Sequence, residues 1–434
     1  MRLVVFLLAA ALYGQTEPDP AEVLKAAQAK VLEAMKRLPK YACIETIERL
    51  YYAPVKPKHI TTPCEETAGE KPMRLTATDR LRLDVAQGEE YEIYSWPGAS
   101  HFDLTEIDRI VDRGPFGSGS FGGYLLDIFD NEATRFEHRG ENVRNGKKML
   151  VYAYTVPRNA SHYAILGYHS WLTTGFSGMV EVETESLEIA RVTMITPQLP
   201  AETKLCMAES TLDYARFQIG DGTFLLPRRS ELRLSDRNGE QTNNTTVYSG
   251  CREYQAHSSI RFGDTPPTAA PMTPSDGTKA QLPGGLPRRY SVDLRMKDAV
   301  DSEKSAAGDP VSATVAHDVH PYQSKEIVIP AGAVAHGRVS RVEHHFVPYD
   351  YVVIGIVFQS IEIGGRTLPF EARPNRAGMI IRVNSALPSP GPTPQVRTPI
   401  GPPDSLVFPF VKRHVLAAGT VSQWLTEFPP IGAK

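Results

Sequence analysis

The chain has 434 residues, of which 41% are hydrophobic and 22% charged. That length exceeds one typical core and predicts more than one domain, and the apolar fraction excludes global disorder. A formal net charge of −3 gives no basic surplus, so no nucleic-acid partner is expected.

Residues 1–14 read as a secretory signal peptide. Arg2 supplies the positive start, Leu3 to Tyr13 form an apolar run, and Ala9, Ala10, Ala11 and Gly14 offer small residues for cleavage. The run is too short to span a bilayer. No later segment reaches spanning length, so no transmembrane segment is expected after cleavage, and the destination is periplasmic or secreted. Asp19 then caps a helix, Pro20 fits its first turn, and Leu24, Ala27, Val31, Met35 and Leu38 recur at helical spacing. Pro39 closes it. A single apolar stripe needs a surface to dock on.

Strands dominate from there. Tyr41 to Tyr52 alternates, with Cys43, Glu45, Ile47 and Arg49 on one face. Arg80–Val85, Tyr91–Trp96, Met149–Val156, Met179–Val182, Ile189–Ile195, Thr211–Ile219 and Phe224–Leu234 continue the series. Asn145-Gly146, Gly220-Asp221-Gly222 and Asn238-Gly239 supply hairpin turns. A short helical patch, Tyr124–Phe129, interrupts them. The four cysteines, Cys43, Cys64, Cys206 and Cys251, are even in number, widely spaced and never in a C-x-x-C pair. In an exported chain that favours disulfides over metal or redox chemistry. Of the three connectivities, the nearest-neighbour set, Cys43–Cys64 with Cys206–Cys251, is expected.

Several pieces carry a resemblance. DRLRLDV, EEYEIYSWPG, GSGSFGGYLLDIF, LDYARFQIGDGTFLLPRRSEL and YSGCREYQAHSSIRF resemble exported two-domain proteins of Acidobacteria-type bacteria. The order of helix and then antiparallel meander over 19–262 resembles the lipoprotein-carrier (LolA/LolB-like) and RseB-type periplasmic folds. That resemblance implies an open curved sheet with helices over an apolar hollow.

Gly263 to Pro287 contains six prolines, four glycines and no aromatic residue, the composition of an extended linker. Beyond it, residues 288–430 alternate again: Tyr290–Met296, Val311–Val315, Glu326–Ile329, Val334–Val342, Tyr351–Ile363 and Leu368–Ala372. The pieces AAGDPVSATVAHDV and IVIPAGAVAHGRV, with the turn Pro330-Ala331-Gly332, resemble the small β-barrel of type IV secretion and conjugation outer-membrane proteins. Leu387 to Pro403 holds seven prolines in seventeen residues and reads as an exposed loop. The expected fold class is therefore mainly β with few helices: a large curved antiparallel sheet with an N-terminal helix, and a small C-terminal β-barrel.

Catalytic patterns are scarce. Gly117, Gly119 and Gly122 satisfy G-x-G-x-x-G but follow no clean strand, so they read as a flexible loop. No G-x-S-x-G, H-E-x-x-H or P-loop pattern occurs. His344-His345, on a strand, would point to opposite faces, and a solvated or loop pair is the expectation. Glu181, Glu183 and Glu185 share one strand face, the mark of solvent exposure. No catalytic residue, cofactor or metal is expected. Aromatics are more informative: Tyr91, Tyr94, Trp96, Phe102, Phe116, Phe121, Tyr124 and Phe129 lie close in sequence and suit a core or an apolar groove under a glycine-rich flap. The reading is a non-enzymatic exported protein that binds an apolar or envelope-derived ligand, an envelope protein, or both. The alternatives are a structural assembly factor of a secretion or envelope complex, and an exported hydrolase with dispersed residues.

Overall fold

The computed structural model describes residues 19–55, 64, 72–87, 92–98, 102, 111, 114–117, 123–166, 170–196, 199–253, 290–321, 323–375, 402 and 404–427. The signal over 1–14, the linker over 263–287, Tyr91, Phe121, Gly119, Gly122 and all of 387–403 but Pro402 lie outside them.

Helix α1 runs from Pro20 to Arg37, and the Asp19 carboxylate accepts the Ala21 N–H at 2.9 Å. Val23, Ala27 and Val31, spaced four apart, form its buried line, with Leu24 and Met35 packing at the margins. Burying each valine is worth about 1.5–3 kcal/mol. Helix α2 is Gly123–Phe129. The first strands are β1 (Tyr41–Pro54), β2 (Met73–Gln87), β3 (Glu92–Ser95), β4 (Arg135–Arg144), β5 (Lys147–Val156), β6 (Ala164–Leu166) and β7 (Trp171–Thr173). They are followed by β8 (Phe176–Glu183), β9 (Ile189–Ile195), β10 (Leu205–Ile219), β11 (Gly222–Asp236) and β12 (Gln241–Glu253). Neighbour pairing runs β3–β2–β1–β12–β11–β10–β9–β8–β5–β4, antiparallel throughout. The first strand thus sits beside the last one of this half.

That adjacency corrects the disulfides. Cys43 is bonded to Cys251 and Cys64 to Cys206, with Cα atoms 4.0 and 5.2 Å apart. The expected pairing rested on nearness in sequence alone. Cys43 instead faces β12 where the β1–β12 register shifts between Ala42 and Ile44, so the covalent link closes the ends of the meander. Two further differences concern strands. β4 has almost no apolar alternation, yet the Asn145-Gly146 turn, with both residues at positive φ, folds it back on β5. Glu326–Ile329 forms no strand; only Ile329 bridges, to Val319.

The C-terminal strands are β13 (Ser291–Met296), β14 (Val300–Asp301), β15 (Pro310–Val315), β16 (Val334–His345) and β17 (Tyr351–Ile363). After them come β18 (Arg366–Pro369), β19 (Glu371–Pro374), β20 (Ser405–Pro409), β21 (Val415–Leu416) and β22 (Val421–Glu427). Pairing runs β20–β17–β16–β15–β13–β22–β19. β18 pairs with β17, and Phe370 N–H, between β18 and β19, donates to Gln359 O at 3.0 Å. These strands surround one core of valine, isoleucine and alanine with Phe358, Phe370 and Trp424.

Both halves belong to one 18-stranded sheet that is not closed into a barrel as a whole. Its seam is β2. Asp79, Thr78 and Ala77 pair with Glu343, His344 and His345 of β16, and Leu81 bridges Ala307. The seam's side chains are charged: Arg82 meets Asp309, and the Arg338 guanidinium lies 4.7 Å over the Trp96 ring. His344 and His345 are therefore strand-paired rather than solvated. His345 bonds Glu343 at 2.7 Å, and His344 lies 3.7 Å from Asp350. Among the described residues no helix is long and apolar enough to cross a membrane.

Candidate functional site

A cleft of about 460 Å³ opens where β5 ends and β8 begins. β5 delivers Thr155 and Val156, a short 3₁₀ turn delivers Arg158, the end of β7 delivers Thr173, and the loop from there to β8 delivers Thr174 and Gly175. Phe176, Ser177 and Pro200 complete the wall. Gly175 is required by close approach: a Cβ there would meet Arg158 N at 2.9 Å and Val156 O at 3.1 Å. The turn is pinned from behind, as Asn131 Nδ2 donates to Ala160 O at 2.7 Å.

The cleft is chemically two-sided. Its floor, Val156 and Phe176, is 1% exposed at each residue and belongs to the core that α1 and α2 cover. Its mouth carries Thr155, Thr173 and Arg158, all exposed. Arg158 makes no ion pair among the described residues. Thr174 is 2% exposed, and its hydroxyl has no hydrogen-bond partner among them. A buried hydroxyl left so costs roughly 1–3 kcal/mol, which a polar ligand atom would recover.

Rings lead inward from the floor. Phe176 meets Tyr154 edge-on at 6.0 Å and Tyr163 at 5.6 Å. Tyr154 continues to Phe136 at 6.4 Å and Phe136 to Phe129 at 5.7 Å, while Tyr163 reaches Tyr124 at 5.9 Å. Of the aromatics singled out in the sequence, Tyr124 and Phe129 thus stand behind this cleft. Tyr94, Trp96 and Phe116 pack in a separate cluster with β1 and β2, and Phe102 is half-buried. Burial pushes the Tyr163 phenol up to about 12, so it stays a neutral hydroxyl at any physiological pH.

A second, polar feature lies on the inner face of β1. Glu45 is 2% exposed and stands opposite Tyr248 of β12 and Leu83 of β2. Burial holds its carboxyl well above the ordinary range, the nearby Glu92 carboxylate adds to this, and a hydrogen bond with Tyr248 opposes it. One Glu45 oxygen has no partner among the described residues. Four residues on, Arg49 clasps Asp79 through two nitrogens at 2.6 and 2.8 Å, and Tyr51 donates to Asp79 at 3.0 Å. The sequence showed Glu45 and Arg49 on the face of Cys43 and Ile47; that this face turns inward was the missing step.

Glu181 and Glu183 lie on one face of β8 but are ion-paired, to Arg144 at 2.6 Å and Lys147 at 2.7 Å. Asp127 accepts from the His162 ring at 2.5 Å and from its backbone N–H at 2.9 Å. Both carboxylate oxygens thereby fasten the loop after β5 to α2. No metal-binding group of three His, Cys, Asp or Glu side chains occurs among the described residues.

No protein-family model and no curated protein matches the chain. Solved structures similar to it include a Vibrio parahaemolyticus domain named for outer-membrane lipoprotein sorting, 16% identical, covering 53% of this chain and 92% of that one at a TM-score of 0.25. A LolA superfamily protein from Nitrosomonas europaea is 9% identical, covering 55% and 96% at 0.25. The lipoprotein LppX from Mycobacterium tuberculosis is 8% identical, covering 55% and 99% at 0.20.

Proposed function

We propose that this chain is a non-enzymatic exported binding protein that takes an apolar-tailed ligand of the cell envelope in the β5–β8 cleft. The observation that carries the reading is the continuity of the cleft floor with the covered core through Val156 and Phe176. An acyl or isoprenoid tail resting on that floor meets Val156 and Phe176, while Arg158 and the threonines face its polar end. A volume of this size is typical of small-ligand sites. Export is supported by the signal pattern and by two disulfides, which persist in oxidising compartments. In this reading residues 19–262 form the ligand module, 263–287 the link, and 288–430 a module for protein contact.

Titration with a fluorescent fatty acid, cis-parinaric acid, tests the reading. Saturable binding is expected for the wild type, with at least a tenfold loss in Thr173→Trp, which fills the mouth, and a smaller loss in Arg158→Glu. Val143→Trp on β4, 70% exposed, should bind as the wild type does. Binding that is absent, or indifferent to both cleft variants, overturns it.

A further inference from the structure

We infer, resting on the binding role proposed above, that the β5–β8 cleft selects a ligand with an anionic head, a carboxylate or a phosphate monoester, and that Arg158 recognises that head. Among the residues that line the cleft, Arg158 carries the one charge, and no Asp or Glu side chain joins it there. Arg158 is exposed and makes no ion pair among the described residues. Arginines on the neighbouring strands are paired. Arg144 clasps Glu181 through two nitrogens at 2.6 and 2.8 Å, and Arg191 clasps Asp213 at the same two distances. An arginine at a mouth that offers it no acid keeps its planar fork of donors open to a ligand's oxygens.

The backbone around Arg158 is fixed before any ligand arrives. Pro157 holds an extended backbone, φ −73° and ψ 151°, and its ring restricts φ. Its carbonyl accepts the Ala160 N–H at 3.0 Å, and the Arg158 carbonyl accepts the Ser161 N–H at 3.4 Å. From behind, Asn131 holds Ala160 and Asp127 holds His162. Only the Arg158 side chain is left to order on binding, which keeps the entropic cost low.

The rest of the mouth supplies donors to the same place. Thr155 stands opposite Ser177 and Val156 opposite Phe176, so strand alternation sets the hydroxyl pair and the apolar pair on opposite faces. Thr174, 2% exposed, keeps its hydroxyl unpartnered among the described residues. A hydroxyl can donate to an anion, and no carboxylate in the wall repels one. A carboxylate or phosphate head therefore meets a guanidinium and hydroxyls at the edge of an apolar floor, where a lower dielectric strengthens the pairing. A cationic or zwitterionic head brings a positive group towards that guanidinium, and like charges repel.

Two probes with one tail read the charge directly: cis-parinaric acid and its methyl ester, titrated against the full-length protein at neutral pH and low salt. The ester has the larger apolar surface, so burial alone favours it. The wild type should bind the acid several-fold more tightly than the ester, and the difference should shrink at high salt. Arg158→Gln should weaken the acid several-fold and remove its advantage, while Arg158→Lys, which keeps the charge, should keep part of it. Thr174→Val should weaken both probes alike, because a hydroxyl also serves an ester oxygen. Octanoate and short-chain phosphatidic acid, used as competitors, separate the two sources of the anion. Whichever displaces cis-parinaric acid at the lower concentration assigns the head as carboxylate or phosphate. Saturable binding of acid and ester with equal affinity overturns the anionic head and leaves the binding role standing. A preference unchanged in Arg158→Gln does the same, as does short-chain phosphatidylcholine competing as well as either anion. Binding of neither probe overturns the binding role itself.

Discussion

The two halves of this molecule solve the same packing problem with different interiors. Around Trp424 the C-terminal strands enclose aliphatic and aromatic side chains, and Ser405 and Thr426 are the only buried polar residues there among those described. The N-terminal sheet buries Glu45, Arg49, Asp127, Ser210, Asn244 and Thr246, together with Tyr41, Tyr94, Tyr124 and Tyr154. It also holds both disulfides, whereas the C-terminal half has no cysteine. An apolar core sustains itself through area removed from water. A core with desolvated charges and hydroxyls gains less per residue, and covalent closure offsets the difference by limiting the unfolded chain. Polar atoms inside a fold are also where a ligand can bind with orientation, which fits the placement of the cleft in that half.

The largest expected effect comes from removing the closure. Cys43 and Cys251 are 208 residues apart, and Cys64 and Cys206 are 142 apart. In the loop-entropy model each link is worth about 5 kcal/mol. Under a reductant, hydrogen exchange read by mass spectrometry should accelerate in β1, β10 and β12 and change little in β13, β15 and β22. Equal acceleration in both halves would break the contrast and show that the β2–β16 seam carries the loss across.

Next in size is the buried pair at the seam. The Arg49 side chain is 6% exposed and Asp79 14%. Asp79→Ala takes both carboxylate oxygens away from a buried guanidinium and should cost about 3–5 kcal/mol, read from urea midpoints. Arg82→Ala, whose partner Asp309 is more open at 19%, should cost clearly less. If both cost the same, the seam is not graded by burial as the structure indicates.

How much of this was legible beforehand depended on whether the signal was local. The α1 stripe, the β1 alternation and the hairpin turns at Asn145-Gly146 and Asn238-Gly239 act within a few residues, and each element formed where its pattern lay. β4, with Glu137, Arg139 and Glu141 along it, has no apolar alternation of its own and is a strand because β5 pairs with it. The cysteine pairing failed for the same reason: only the placement of β12 beside β1 brings Cys251 to Cys43, and no spacing records it. The aromatic cluster of 91–129 was visible as composition, but its division between two cores depends on where α2 lands. The cleft was not visible at all. Val156, Thr174 and Phe176 are ordinary residues until the loop from β7 to β8 closes over the end of β5.

A pH test sharpens the comparison further. The Glu45 carboxyl is held above its ordinary value of 4.5 by burial and by Glu92. Between that value and the raised one, the unfolded chain releases the proton while the folded chain keeps it. Stability therefore falls as pH rises through this window, by up to about 1.4 kcal/mol per pH unit. The wild type should lose more stability between pH 5 and pH 7 than Glu45→Gln does, in matched urea titrations. A Glu45→Gln profile parallel to the wild type would show that Glu45 is ionised in the fold and that its neighbours, Tyr248 among them, stabilise the charge.

The smallest effect tests whether the polar interior serves binding rather than stability. Thr174 is buried with its hydroxyl unpartnered among the described residues, and its backbone N–H donates to Tyr163 O at 2.9 Å. Valine has nearly the same shape and leaves that backbone bond intact. Replacing an unsatisfied buried hydroxyl by a methyl removes a desolvation cost and loses no hydrogen bond. Thr174→Val should therefore be neutral or stabilising by up to about 1 kcal/mol, seen as a small rise in the urea midpoint. If the hydroxyl waits for a ligand, the same variant should bind cis-parinaric acid several-fold more weakly while being no less stable. A stability loss above about 1 kcal/mol would mean that the hydroxyl already has a partner in the folded chain, and the cleft would then lose its one buried polar contact.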